Sequence, residues 1–453
     1  MLVPSELAAA CADTAAAGAA DAVGGCRARY VAAPASTQEA SALLRAAAML
    51  GLTVVPRGAG RLQHWGDPPD SCDLIVDTRR LDRIVEHRPD DFAVTVQAGV
   101  RVVDLAQALE PARQHLAVLP PFRAATGTVG GLIATNAAGG TRRYRYGRPS
   151  DLLTGITAVR ADGAIVRSGE FASTVTGKDL ATLLAGSYGT LGLITEASFR
   201  LHPLPQVFGG TWLPCTDPED AARKLAEIAS DTWLAPIGID LRWPARDKPL
   251  GLIVSIEGDK QTFQARHDRL HVLAGRQPAS PLPGLADARQ QDAPDNGGPP
   301  PTVPQEILAR RERYNAELLN PPPDTGTLVR VSFPPGQLAA ALAAILASAD
   351  RNAVAAAIEG PAGVGILDVN IPAGSPAAAV ARFVPALRAE LGRLDKAGQA
   401  LRAPRAVVVY APDEVRELTD TRGPVPSLAL MEAVKDEFDP EHRMAPGRFA
   451  DAA

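Results

Sequence analysis

Two separated stretches of this chain are almost bare backbone. One is Pro56-Arg57-Gly58-Ala59-Gly60. The other runs from Thr126 to Gly140, TGTVGGLIATNAAGG, with five glycines, three alanines and three threonines. A tight turn needs one or two glycines, so stretches this stripped point to something large or heavily charged lying against the main chain. Successive N–H groups in such loops form concave anion sites, and glycine takes the required positive φ angles without a Cβ penalty. The expected chemistry is diphosphate binding by amides; taken singly, either loop also reads as an ordinary turn. Neither reads as opening a helix, so loops alone are expected to hold the anion. The second loop runs into TRRYRYGR, which supplies Arg142, Arg143, Arg145 and Arg148 with Tyr144 and Tyr146. An arginine fork suits a carboxylate. The same run reads equally as a solvated basic turn or as a surface for a partner protein.

Other motifs fail on mechanism. VVPRGAGRLQ has Gly58-x-Gly60 after a strand, but the third glycine position of a dinucleotide loop is Gln63, and HWGDPPDSCD cannot be the helix that should follow. TVTGKDL ends like a phosphate loop, with Ala172 at its first glycine position and Asp179 where a magnesium-binding hydroxyl belongs. HDRLH places His267 and His271 one helical turn apart, with no glutamate or third ligand, and reads as two surface histidines. There is no Gly-x-Ser-x-Gly nucleophile elbow, and no metal is expected.

The elements that must position the loops alternate. A helix over 36–50 capped at Ser36, then strands LTVVP, DLIVD, RIVEH and FAVTVQA, precede the second loop; LLTGITAV, AIVRSG and LGLITEASFRLHPLP follow it. Beyond Pro203-Leu-Pro205 the pattern restarts as strand, helix, strand, strand, helix. Residues 278–304 hold eight prolines and three glycines and are expected to be an exposed, mobile insertion. A final helix over 427–440 is expected to bury Leu430, Val434 and Phe438 behind a Ser427 cap. At 453 residues, 46% hydrophobic and 21% charged, the chain suits two or three soluble domains. A net charge of -5 excludes an electrostatic case for nucleic acid or an anionic membrane surface as partner. Cys11, Cys26, Cys72 and Cys215 form no C-x-x-C pair, so no iron–sulfur or zinc framework is expected, and a reduced, cytoplasmic setting is. No apolar run reaches membrane-spanning length.

VVPRGAG, ATGTVGGLIATNAAGG, YGRPSDLLTGITAVRADGAIVRSG and GSYGTLGLITEASFRLHPLP occur in the order and spacing of the FAD-binding module of the vanillyl-alcohol oxidase / p-cresol methylhydroxylase (PCMH) family, and FDPEHRMAPGRF resembles its C-terminal signature. Within that family the motifs resemble those of the FAD-binding, E-type subunits of bacterial glycolate oxidases. The resemblance implies an α+β fold: an N-terminal extension (1–29), a two-lobed PCMH-type FAD-binding domain (30–205), a smaller α+β cap (206–423) and a tail (424–453) that packs on the FAD domain. It implies that Pro56, Arg57, Gly58, Ala59, Gly60 and Arg61 wrap the diphosphate and that Thr126, Gly127, Thr128, Gly130 and Gly131 complete the cradle. Ala134, Thr135, Asn136 and Gly140 are then expected near the isoalloxazine, and Gly192 with Ile194 at the adenosine half. Arg142, Arg143, Tyr144, Arg145, Tyr146 and Arg448 become candidates for lining a substrate site. Some members tether FAD through a histidine directly after the first loop; Arg61 stands there, so the expected FAD is non-covalent.

Catalytic subunits related to this family carry a histidine-rich motif ending in Gly-Asp-Gly-Asn. GILDVNIP has the apolar frame of that motif without its histidines, and Ala445 stands where related tails often place asparagine. The resemblance therefore implies an FAD-binding subunit of a complex that oxidises a small 2-hydroxy acid. Its partners would be a catalytic, D-type flavoprotein subunit and an iron–sulfur, F-type subunit. Through these the cytoplasmic chain could sit at the inner face of the membrane. Two alternatives stand beside it: a self-sufficient flavin oxidase acting on an alcohol or sugar alcohol, and a structural subunit without flavin.

Overall fold

The computed structural model describes residues 2–118, 126–136, 140–169, 178–273, 325–395 and 403–448. The insertion expected at 278–304 lies outside them. The chain divides into two compact units. The first comprises Met1–Ala138, Gly147–Leu204 and Ser427–Ala453; the second comprises Gly139–Tyr146 and Pro205–Pro426. The basic run that follows the second glycine loop thus clusters with the later part of the chain.

The first unit holds a four-stranded and a five-stranded sheet. In the smaller one Tyr30–Ala32, Leu74–Asp77 and Val54–Arg57 run parallel in that order, and Thr14–Ala16 pairs antiparallel at the outer edge. The larger is antiparallel, in the order Ile165–Ser168, Leu153–Val159, Leu193–Arg200, Ala93–Gln97 and Ile84–Arg88. Helix Thr37–Met49 starts where the sequence places it, because the Ser36 side chain accepts from the Glu39 amide and the Glu39 carboxylate accepts from the Ala35 amide. Its stripe Ala40, Leu43, Leu44 and Ala47 packs in one core with Val54, Leu74 and Val76 of the first sheet and with Val159 and Leu193 of the second.

The chain end completes this unit. Met444 forms a parallel bridge with Val54, the Val54 amide donates to the Arg443 carbonyl at 2.8 Å, and the Ala445 amide donates to Val54 O at 2.8 Å. The tail therefore lies beside the strand that delivers the first glycine loop. The preceding helix, Leu428–Phe438, differs from expectation. Leu430 is 68% exposed, Ser427 makes no side-chain cap, and the buried residue is Lys435. Its Nζ donates to Thr190 O (2.8 Å), Asp439 Oδ2 (2.7 Å) and Met444 O (3.0 Å). The helix docks by a sequestered ammonium instead of an apolar stripe, because those carbonyls and Asp439 need a donor that Val434 or Phe438 cannot supply.

The second unit is a seven-stranded antiparallel sheet. Its order is Val207–Cys215, Leu250–Gly258, Gly238–Trp243, Ala357–Gly360, Ile366–Pro372, Thr325–Ser332 and Arg405–Tyr410. Apolar side chains on one face, among them Ile239, Leu241, Val254, Val329, Ile358 and Val369, form a core with helices Pro218–Ser230, Leu338–Arg351 and Ala377–Gly392.

Candidate functional site

The two glycine loops meet in the first unit. A Cβ placed on Gly58 would lie 2.2 Å from Thr128 Oγ1, so the first loop rests directly on the side chain that opens the second. Thr128 is itself committed: it caps helix Val129–Thr135 by accepting from the Gly131 amide. This corrects the expectation that no helix begins here. Two glycines lower the propensity of VGGLIAT, but the cap and close packing on the Ala93–Gln97 strand end override it. A Cβ on Gly130 would stand 2.8 Å from Ala98 Cβ, and the Gly130 amide donates to Ala98 O at 2.7 Å. Gly99, which the sequence reading passed over, is equally constrained, since a Cβ there would lie 2.0 Å from Thr78 O.

The two loops contribute differently. The amides of Val129, Gly130 and Gly131 are used within the protein, by Val100 O, Ala98 O and Thr128 Oγ1. Among the described residues, the amides of Gly58, Ala59 and Gly60 donate to no protein acceptor. Among the described residues the unused amides are therefore on the first loop, and the second loop meets Gly58 with the Thr128 side chain. The Arg57 guanidinium lies 2.9 Å from Asp21 and 3.5 Å from the buried Asp77, so two carboxylates engage its charge. The Gly18 amide and then Arg57 hold the Asp21 carboxyl below the usual range. Arg61 and Thr126 are exposed.

Helix Gly140–Tyr146 belongs to the second unit, where its candidates are mostly anchors. Arg142, 1% exposed, pairs with the buried Glu257 at 2.7 Å, and the Tyr146 hydroxyl donates to the same carboxylate. Burial pushes Arg142 down from the ordinary guanidinium range against the opposing pull of Glu257, and burial with Glu257 pushes the Tyr146 phenol up to about 12. Tyr144 packs on Gly363, where a Cβ would stand 2.7 Å from the ring. Arg143 is half-buried and Arg145 exposed. Arg142 is thus a counter-ion, not an open carboxylate clamp. In the first unit Arg448 donates to the Gln63 and Trp65 carbonyls at 3.1 and 2.9 Å, pinning the segment that leaves the first glycine loop.

Residues 28–169 match a family described as FAD binding domain. The chain carries a PCMH-type FAD-binding domain. A glycolate oxidase subunit GlcD from Bacillus subtilis is 34% identical over 226 residues, 49% of this chain and 46% of that protein. A glycolate oxidase subunit GlcE from Escherichia coli is 35% identical over 154 residues, 34% of this chain and 43% of that protein. The chain thus spans less than half the length of these curated relatives. The solved structure of p-cresol methylhydroxylase with substrate bound aligns over 98% of this chain and 95% of its own, with a TM-score of 0.67 at 14% identity, a likeness of fold.

The FAD-binding domain fits its cofactor at the first loop, where three adjacent amides are open among the described residues. The other residues expected at the flavin have defined roles. Ala134 O accepts from the Tyr188 amide at 2.8 Å, and Thr135 Oγ1 donates back to Gly131 O at 2.9 Å. Asn136, with φ 47°, ends the helix and exchanges two 3.1 Å hydrogen bonds with Ser150. Ile194 is buried opposite Ala158 in the five-stranded sheet, one residue beyond the edge that Gly192 opens. Gly140 begins the helix of the second unit. Among the described residues no helix is long and apolar enough to cross a membrane, and no group of three His, Cys, Asp or Glu is placed to hold a metal.

Proposed function

We propose that this chain is the FAD-binding, E-type subunit of a complex that oxidises a small 2-hydroxy acid such as glycolate. It would hold FAD non-covalently and assemble in the cytoplasm with a D-type flavoprotein subunit and an F-type iron–sulfur subunit. The observation that carries the reading is the contact of Gly58 with Thr128, which joins two loops nearly seventy residues apart into one cradle. The amides of Gly58, Ala59 and Gly60 bind the diphosphate; the tail and Arg448 keep the first loop in place. Bound flavin supplies a hydride acceptor. The proposal assigns the proton-accepting step on the hydroxy acid to the partner, in line with the missing histidine motif at GILDVNIP. Arg143 and Arg145 remain the candidates for an anion or a partner surface. The exposed Arg61 where a tethering histidine would stand supports a dissociable cofactor. The glycolate oxidase subunits among the relatives support the assembly.

Acid precipitation of the purified protein tests the first half: yellow colour should pass to the supernatant, and a yellow pellet would refute the non-covalent hold. Co-expression with D-type and F-type subunits tests the second. Glycolate should bleach the flavin of the assembled complex and leave that of the isolated chain oxidised.

A further inference from the structure

Helix Lys260–Leu273 of the second unit follows strand Leu250–Gly258 and packs on it and on Val207–Cys215. Its apolar docking is slight, for among its described residues only Leu270 is buried. Polar ties hold it instead. Arg266 donates to the Trp233 and Glu257 carbonyls at 3.1 and 3.2 Å, and Arg269 Nε donates to Asp231 Oδ2 at 3.0 Å. Gln264 Nε2 donates to Asp268 Oδ1 at 2.7 Å. The helix so fixed carries His267 and His271 four residues apart, the spacing that makes two side chains neighbours on one face.

The sequence reads HDRLH as two surface histidines, and the structure turns their rings toward each other. His267 Nε2 lies 3.3 Å from His271 Nε2, with ring centroids 4.4 Å apart and planes at 63°. Phe263, one turn earlier, stacks on His267 with centroids 5.8 Å apart and planes 18° from parallel, which steadies that imidazole. A neutral imidazole has one ring donor and one acceptor, so the contact needs Nε2–H on one ring and a bare Nε2 on the other. Moving the donor's proton to its own Nδ1 leaves a lone pair on each facing nitrogen. Zinc–imidazole bonds are about 2.0–2.1 Å, so two nitrogens 3.3 Å apart subtend about 107° at a shared zinc ion, close to the tetrahedral angle. Adjacent corners of a square plane would need nitrogens only about 2.9 Å apart at the same bond length. The spacing thus selects zinc over square-planar copper or nickel. Among the described residues no third His, Cys, Asp or Glu joins the pair.

We propose that His267 and His271 form a two-histidine site for a zinc ion, with water in the remaining positions. The site is on a different element from the GILDVNIP strand and from the glycine loops, and it does not rest on the FAD reading. Calorimetric titration of the untagged, chelator-treated, FAD-loaded full chain with zinc chloride tests it. One zinc per chain should bind with a Kd between roughly 1 and 200 µM, the range that half the binding free energy of a four-ligand structural site gives. His267→Gln and His271→Gln should each weaken binding at least roughly tenfold, since losing even a partner that supports a metal ligand costs that much. Either variant suffices should the other not fold, and flavin content should be the same in all. In protein carrying 13C in its histidine rings, zinc should shift the signals of His267 and His271 and leave those of the other five of the seven histidines in place. A wild type weaker than the stated range, binding unchanged in either folded variant, or zinc-induced shifts at other histidines instead would overturn the assignment.

Discussion

Lys435→Met isolates the device that holds the chain end against the FAD-binding domain. The substitution keeps the length of the side chain and removes three hydrogen bonds, to Thr190 O, Asp439 Oδ2 and Met444 O. Asp439 is fully buried and would keep only the Arg443 and Met444 amides, at 3.1 and 2.7 Å. Removing one partner of a buried pair typically costs about 3–5 kcal/mol, because the remaining charge is left uncompensated. For a unit of this size each kcal/mol lowers the midpoint by roughly 2–4 °C, so a fall on the order of 10 °C is expected. The double variant Lys435→Met/Asp439→Asn should recover part of the loss, with a coupling of about 1–3 kcal/mol. Urea titration gives the totals, and hydrogen exchange at the Val54 and Ala445 amides, which bond across the tail, locates them. Those two amides should exchange faster while the second unit is unchanged. Excess FAD should slow them again by mass action, since the cofactor binds only the folded cradle. A single-variant loss under about 1 kcal/mol, or uniform acceleration across the chain, would refute the reasoning.

Three further outcomes are expected. Gly58→Ala drives a Cβ into Thr128 Oγ1 and disturbs the cap on Gly131, so the helix start should lose about 1 kcal/mol and FAD affinity should fall at least roughly tenfold, as 1.4 kcal/mol already does, read by flavin fluorescence. Arg142→Met leaves Glu257 buried without its counter-ion and should cost about 3–5 kcal/mol, and Arg142→Met/Glu257→Leu should be markedly milder, by calorimetry. The third is a pH effect. Asp240 is pushed up to about 7 in the folded state, so from about pH 4 to 7 the folded chain binds more protons than the unfolded one, and this group's contribution to stability falls as pH rises. Asp240→Asn removes it, so the variant's advantage over wild type should be near zero at pH 4 and grow to at most about 4 kcal/mol above pH 7, measured by denaturation at fixed pH.

What the sequence made legible was local. Ser36 and Glu39 announce a helix start through the atoms that cap it, and the two glycine runs announce close main-chain packing, met where Gly58 lies on Thr128 and Gly130 on Ala98. What it hid was long-range. Lys435 and Asp439 sit four apart on a helix, the spacing of a solvated surface pair, and only the return of the tail to Val54 and Thr190 buries them. Gly99 looks like a strand-ending turn until Thr78 O is found where its Cβ would be. The TRRYRYGR arginines look like an open basic run because Glu257, more than a hundred residues on, is invisible as the partner of Arg142. Likewise the Thr128 cap outweighs the poor helix propensity of VGGLIAT, which composition alone does not reveal.

The buried charges of this protein separate structure from function by one criterion, whether the chain completes them itself. Lys435 with Asp439 closes on its own carbonyls and amides, and Glu257 receives both Arg142 and Tyr146. Such networks fix a unique packing, and a ligand would have to break one to use it. The cradle amides of Gly58 to Gly60 are different, for among the described residues the fold carries them without completing them. Donors collect an anion, which is what the diphosphate of the proposed FAD offers.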